Sequence, residues 1–185
     1  MAGLVWVALS YRLPREPSRL RLAVWRRLKR LGAAVLHDAI WLLPADAKTR
    51  EAFEWLADEI DEQGGTALVW EAASFDAAQD DRIVAQFRAQ ADERYGAIAQ
   101  SAEALRRLVG RRRAPGRSRL EQARRQVAGL ERALRLESRR DHFRASGRRA
   151  AAQAVEAALQ ALDRAPRSHP ADSGTLEGRA HAVGH

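Results

Sequence analysis

The side chains best able to do chemistry in this sequence are cations. Arg12, Arg15, Arg19, Arg21, Arg26, Arg27, Lys29 and Arg30 are opposed between positions 12 and 30 by Glu16 alone. The spacing predicts a helix beginning near Ser18 and stopping at Gly32. Leu20, Val24, Leu28 and Leu31 then recur at helical spacing and make one buried stripe. Arg19, Arg26, Lys29 and Arg30 fall on the opposite side, with Arg27 on the flank and Arg15 in the turn before the helix. A helix held by its apolar side and carrying several cations outward is a phosphate-binding surface. Guanidinium groups add a bidentate match to phosphate that an ammonium lacks. Leu22 and Trp25 lie off the apolar stripe, among these charges. Two readings stand for them: cover by the C-terminal helices or a partner chain, or, for Trp25, stacking on a base. The same cations also fit a helix face that is merely solvated, and composition alone does not separate the two.

Other chemistry is hard to find. There is no cysteine, which excludes disulfide frameworks, thiolate metal sites and cysteine nucleophiles. Neither Lys29 nor Lys48 follows a glycine, so there is no P-loop, and there is no G-x-G, G-x-S-x-G or H-E-x-x-H. The histidines His37, His142, His169, His181 and His185 show no helical metal-ligand spacing, and the last three sit in a polar tail. The carboxylates Asp58, Glu59, Asp61 and Glu62 read as the solvated face of a helix. Asp80 and Asp81 are expected to serve the start of a later helix, where the dipole favours negative charge. The chain is expected not to be an enzyme, and no cofactor or metal is expected.

The net charge of +8 hides a segregation. Residues 12–30 carry +7, residues 38–93 carry −10 and residues 106–149 carry +12. Such blocks make oppositely signed surfaces that attract phosphate backbones, an acidic partner or a small anion.

The elements that must hold these groups follow from the apolar pattern. Leu4 to Leu9 is a continuous apolar run that fits a central strand. Ala33 to His37 and Ile40 to Pro44 read as two short antiparallel strands separated by Asp38. Asp46 is the expected N-cap of a second helix, with Phe53, Leu56, Ala57 and Ile60 on its inner face and Gly64-Gly65 at its end. Thr66 to Glu71 is a fourth strand. The order is that of a ferredoxin-like βαββαβ domain over residues 1–75, which makes the fold class α+β. Residues 76–164 read as a helical extension. One helix runs from about 78 to 109, the GRRRAPG stretch (110–116) breaks it, and a second carries Leu120, Ala123, Val127, Leu130 and Leu134 at near-heptad spacing. These two fold back as an antiparallel hairpin or pair with a second chain. A third, alanine-rich helix covers about 145–162, and residues 165–185 read as a disordered tail. No apolar run approaches the roughly 20 residues of a membrane span. The apolar start lacks a basic segment and a cleavage site, so it reads as a buried strand of a cytoplasmic protein.

The stretch SYRLPREPSRLRLAVWRRLKRLGAAVLHDAIWLLP (Ser10 to Pro44) resembles the amino-terminal domain of ChrB, the regulator of bacterial chromate-resistance operons. The likeness continues through TREAFEWLADEIDEQGG (Thr49 to Gly65) and SRRDHF (Ser138 to Phe143), covering roughly residues 3–163. The element order is also similar to that of PaaX-type repressors and of a small CRISPR-associated nuclease family. Those nucleases carry an aspartate after the first strand. Here that place reads Leu9-Ser10-Tyr11, so the resemblance brings no nuclease chemistry.

The resemblance implies a cytoplasmic DNA-binding transcriptional regulator linked to chromate resistance. Arg15, Arg19, Arg26, Arg27, Lys29 and Arg30 would contact operator phosphates, with Arg111, Arg112, Arg113 and Arg117 as a secondary patch. Full-length members continue into a second domain, to which chromate sensing is commonly assigned. This chain ends soon after its third long helix and is expected to be a stand-alone amino-terminal half. The alternative is an interaction module whose long helices pair with a second copy or with a separately encoded chromate-sensing domain. Direct capture of chromate by arginines is a third reading, since an oxyanion suits guanidinium pairs.

Overall fold

A computed structural model describes residues 3–16, 18–36, 40–110 and 116–165. In it β1 (Val5–Arg12), α1 (Ser18–Leu31), β2 (Ala34–Leu36), β3 (Ile40–Pro44), α2 (Ala47–Glu62) and β4 (Thr66–Ala73) follow one another in that order. All strand pairs are antiparallel, and the sheet is ordered β2-β3-β1-β4. Three further helices follow: α3 (Ala77–Val109), α4 (Arg117–Arg140) and α5 (Gly147–Arg164). The class is α+β, a four-stranded antiparallel sheet with long helices.

β1 is buried without alternation from Trp6 to Leu9, because both of its faces are covered. Alternation sends Trp6 and Ala8 to one face and Val7 and Leu9 to the other. Trp6 stacks on Phe87 of α3, with centroids 5.8 Å apart and rings 13° from parallel. Val24 and Leu28 of α1 and Phe53, Leu56 and Ile60 of α2 belong to the same core. α2 begins at a reciprocal cap: Thr49 N donates to Asp46 Oδ1 at 2.8 Å, and Asp46 N donates to Thr49 Oγ1 at 2.9 Å. α1 stops at Gly32, whose φ of +76° suits glycine and whose absent Cβ leaves room for the Arg140 carbonyl.

The bundle α3–α4–α5 has its own core, built on Tyr95, Ile98, Val127, Val155 and Leu162 among others. Of the near-heptad stripe, Leu120, Ala123 and Val127 are buried in this bundle, and Leu130 and Leu134 pack partly against it. α3 spans both cores, since Ile83 and Phe87 pack with the sheet while Tyr95 and Ile98 pack with the bundle.

Asp80 lies in the first turn of α3, as expected, but the cap itself is Asp76, which accepts from Gln79 N at 2.7 Å. The Asp80 carboxylate turns inward and accepts from Leu4 N and from Trp6 Nε1, both at 2.9 Å. A buried indole N–H needs an acceptor, and this one supplies it across 74 positions of sequence. Hydrogen bonds from the Ser74 side chain and then from Trp6 hold the Asp80 carboxyl below its usual range. No described helix is long and apolar enough to cross a membrane. Apart from Ala165, the tail assigned to 165–185 lies outside the described residues, as does the Asp38 break.

Candidate nucleic-acid interface

α1 is held on its inner side by Val24 and Leu28, both essentially inaccessible, with Leu20 and Leu31 packed beside them. Its C-terminal end is fastened by the Ser138–Phe143 stretch. Arg140 Nη1 donates to Lys29 O at 3.0 Å, and His142 Nε2 donates to Leu31 O at 3.1 Å. The first adds to the bond that Lys29 O already accepts from Gly32 N at 3.3 Å, and the second satisfies a carbonyl that a helix end otherwise leaves open. Arg140 is in turn paired with Glu137, which is fully buried and also accepts from Arg94 Nε at 2.8 Å. The part of SRRDHF around Arg140 and His142 is therefore a joint between the bundle and α1.

The joint was missed by sequence reasoning, yet it left a signal. Continuing the stripe Leu120, Ala123, Val127, Leu130 and Leu134 by one step lands on Glu137. A carboxylate at an apolar-stripe position calls for cationic partners. The fold supplies Arg94 from α3 and Arg140 from α4 itself.

Outward from this anchored stripe, Arg15, Arg19, Arg26 and Arg30 are exposed. Among the described residues none of the four has an ion-pair partner. Helical spacing thus puts Arg19, Arg26 and Arg30 on one exposed side of α1, with Arg15 ahead of its start. Arg27 differs: its Nη1 donates to Glu59 Oε2 of α2 at 3.2 Å. Both side chains are more than two-fifths exposed, so the pair is weak and screened.

Lys29 differs more. It is half-buried, its Nζ 5.5 Å from the Trp41 ring centroid and 5.9 Å from that of Trp25. Burial pushes its pKa down, Arg94 and Arg140 push the same way, and Glu93 opposes them. Its ammonium is engaged by two indoles rather than offered wholly to solvent.

Leu22 and Trp25 are 45% and 48% exposed, so the C-terminal helices do not cover them. With Tyr11, Leu13, Ser18 and Arg21 they line an open groove of about 480 Å³ beside the arginines.

Arg117 sits elsewhere. It opens α4 and pairs with Glu121 at 3.2 Å, whereas the other end of the same helix reaches α1. At 1.5 Å per residue these ends are about 35 Å apart. Arg111, Arg112 and Arg113 lie outside the described residues.

α2 carries exposed Glu51, Glu54, Asp58 and Glu62 next to α1. Asp61 accepts from Ala67 N at 2.9 Å, which ties the end of α2 to β4. Among the described residues no group of three or more metal-ligating side chains converges. The arrangement provides a rigid cationic ridge with an apolar, aromatic flank on one side and a carboxylate helix on the other.

No solved structure matches this chain. Protein ChrB of Cupriavidus metallidurans is 37% identical to it over 87 residues, a stretch that covers 47% of this chain and 26% of that relative. The chain therefore aligns with about a quarter of the curated protein it matches. The family model for the N-terminal part of protein ChrB matches residues 21–167, which takes in α1 from Arg21 onward, the acidic helix α2 and the whole bundle. By that match the chain belongs to the ChrB N-terminal family.

Proposed function

We propose that this chain is a DNA-binding module of a transcriptional regulator linked to chromate resistance, acting in the cytoplasm as a binding protein rather than an enzyme. Arg15, Arg19, Arg26 and Arg30 contact phosphates, whereas Arg27 stays paired with Glu59. The observation that carries this reading is the outward row of guanidinium groups that have no carboxylate partner among the described residues, on a helix fixed at its C-terminal end and along its inner stripe. The element order and the sheet order β2-β3-β1-β4 support a ferredoxin-like assignment for the domain that bears the ridge.

The test is binding to chromate-operon promoter DNA across a salt series. Four phosphate contacts give a log–log slope of about −3.6, so affinity falls about 150-fold between 50 and 200 mM salt. Replacing Arg19, Arg26 and Arg30 together by Ala leaves a slope near −0.9 and a loss of only about 3- to 4-fold over that range. A triple variant with the wild-type affinity and slope would refute the reading.

The interaction-module reading has less support. Most of the helical stripe that suggests pairing is packed within the bundle, with Leu130 and Leu134 partly exposed. Association with a second copy or a sensing partner would need another surface.

A further inference from the structure

We infer that the groove beside the arginine ridge is a seat for one unpaired nucleobase, so that the protein prefers single-stranded DNA, or a locally opened duplex, to closed duplex. The inference rests on the phosphate-binding reading of α1 and adds a second mode of contact to it.

The groove runs between the end of β1 and the N-terminal half of α1, and its volume of about 480 Å³ is ample for a base. Its walls are Tyr11 and Leu13 on one side and Leu22 and Trp25 on the other, with Ser18 and Arg21 at the rim. An apolar and aromatic patch is therefore left open within this cationic segment. Between positions 12 and 30 the only carboxylate is Glu16.

Two features hold the groove in shape. Lys29 Nζ lies near both the Trp25 and Trp41 rings, which braces the Trp25 indole from the α1 side. Arg21 Nη1 donates to Pro14 O at 3.3 Å, which ties that rim guanidinium back to the segment after β1. A tyrosine hydroxyl is neutral at physiological pH in any case, and burial pushes the Tyr11 pKa higher still.

The charge pattern selects the occupant. A purely apolar partner would leave Arg19 and Arg26 unpaired beside the contact, and an acidic protein would leave Trp25 and Leu22 without a matching surface. A nucleic-acid strand supplies both halves, phosphates for the ridge and a flat π-face for the indole. On the helix Leu22 and Arg26 are one turn apart, so a base in the groove can have its own or the adjoining nucleotide's phosphate on the ridge. In closed duplex the bases are stacked inside and cannot enter.

The experiment titrates the full chain with a twelve-nucleotide mixed-sequence single strand and with the corresponding duplex, following tryptophan fluorescence and anisotropy at several salt concentrations. Wild type is expected to bind the single strand more tightly and to show quenching. Trp25→Ala should weaken single-strand binding by about 5- to 150-fold, the range for loss of one base–aromatic stack, and abolish the preference over duplex. Its salt slope should match wild type, because no phosphate contact is lost. Trp25→Phe should restore most of the affinity, which a merely electrostatic surface would not require.

Equal affinity of wild type and Trp25→Ala for the single strand overturns the inference and leaves the phosphate reading standing, as does a wild-type preference for duplex. Failure of wild type to bind either DNA overturns the phosphate reading and the inference with it. Circular dichroism of both variants checks that the fold is kept.

Discussion

Glu137 offers a sharp test of how α1 is held in place. Its side chain is 1% exposed and lies between the guanidinium groups of Arg94 and Arg140, which are 25% and 17% exposed. Replacing Glu137 by Ala leaves two largely buried cations facing each other, near a third at Lys29. Breaking a buried pair in this way costs about 3–5 kcal/mol, most of it the penalty of the charges left behind. Both arginines keep some contact with water, so the lower end, about 3 kcal/mol, is expected. In a protein of this size that lowers Tm by roughly 6–12 °C. Glu137→Gln keeps the shape and an acceptor oxygen and should recover part of the loss.

The control is Glu103, which pairs with Arg106 and Arg107 at the surface. A side-chain bond from Arg106, then one from Arg107, holds its pKa at about 2, yet water screens the site and Glu103→Ala should leave Tm where it was. Differential scanning calorimetry at pH 7 reads all three variants. An E137A protein that melts within 2 °C of wild type would refute the account of the joint, since charge repulsion alone should exceed that shift.

Three other outcomes follow from the geometry. Asp80→Ala strands the Trp6 indole N–H and should cost about 1–3 kcal/mol at pH 7 by urea denaturation. Because the folded Asp80 pKa lies below the unfolded value of 3.8, its contribution is complete above that value and disappears as pH falls through the folded one. The gap between variant and wild type should therefore narrow in acid, and an equal gap at pH 7 and pH 2 would contradict this. Gly32→Ala places a Cβ 2.5 Å from Arg140 O at a φ of +76°, whereas Gly64→Ala has a φ of +78° but nothing within 4 Å. Both pay the left-handed strain of about 1–2 kcal/mol, so chemical denaturation should find Gly32→Ala the more damaging, and the reverse order would be wrong. Asp46→Ala removes the α2 cap and should cost about 1 kcal/mol, measured the same way.

Much of the sheet domain was readable because its signals are local. Leu20, Val24, Leu28 and Leu31 announce the inner face of α1 through their spacing alone, and Asp46 announces the start of α2. The apolar run of β1 is legible as a buried strand for the same reason. What escaped was everything decided by distant partners. Asp80 sits at a helix start and looks like a dipole-compensating carboxylate, but the strand holding Trp6 is packed against it. Lys29 lies on the outer arc of the helical wheel, yet β3 brings Trp41 close enough to draw its ammonium in. Arg27 was counted with the free cations, and its partner is contributed by the neighbouring helix. In each case the residue type was read correctly and its neighbour was not, since no local pattern encodes that neighbour.

The eight cations between Arg12 and Arg30 consequently do unequal work, and net charge is a poor guide to where a polyanion would lie. Arg21, Arg27 and Lys29 each have an intramolecular contact, whereas Arg15, Arg19, Arg26 and Arg30 have no ion-pair partner among the described residues. The helix field sharpens this division. The positive end of the α1 dipole is at Ser18, beside Arg15 and Arg19, so dipole and side chains add there. At the other end Arg140 and His142 cover the carbonyls of Lys29 and Leu31, which would otherwise oppose the arginines with partial negative charge. The joint thus serves the field as well as the packing. On the Arg27 flank the carboxylates of α2 repel a phosphate chain, which leaves the ridge and its Trp25 flank as the approach with the least electrostatic cost.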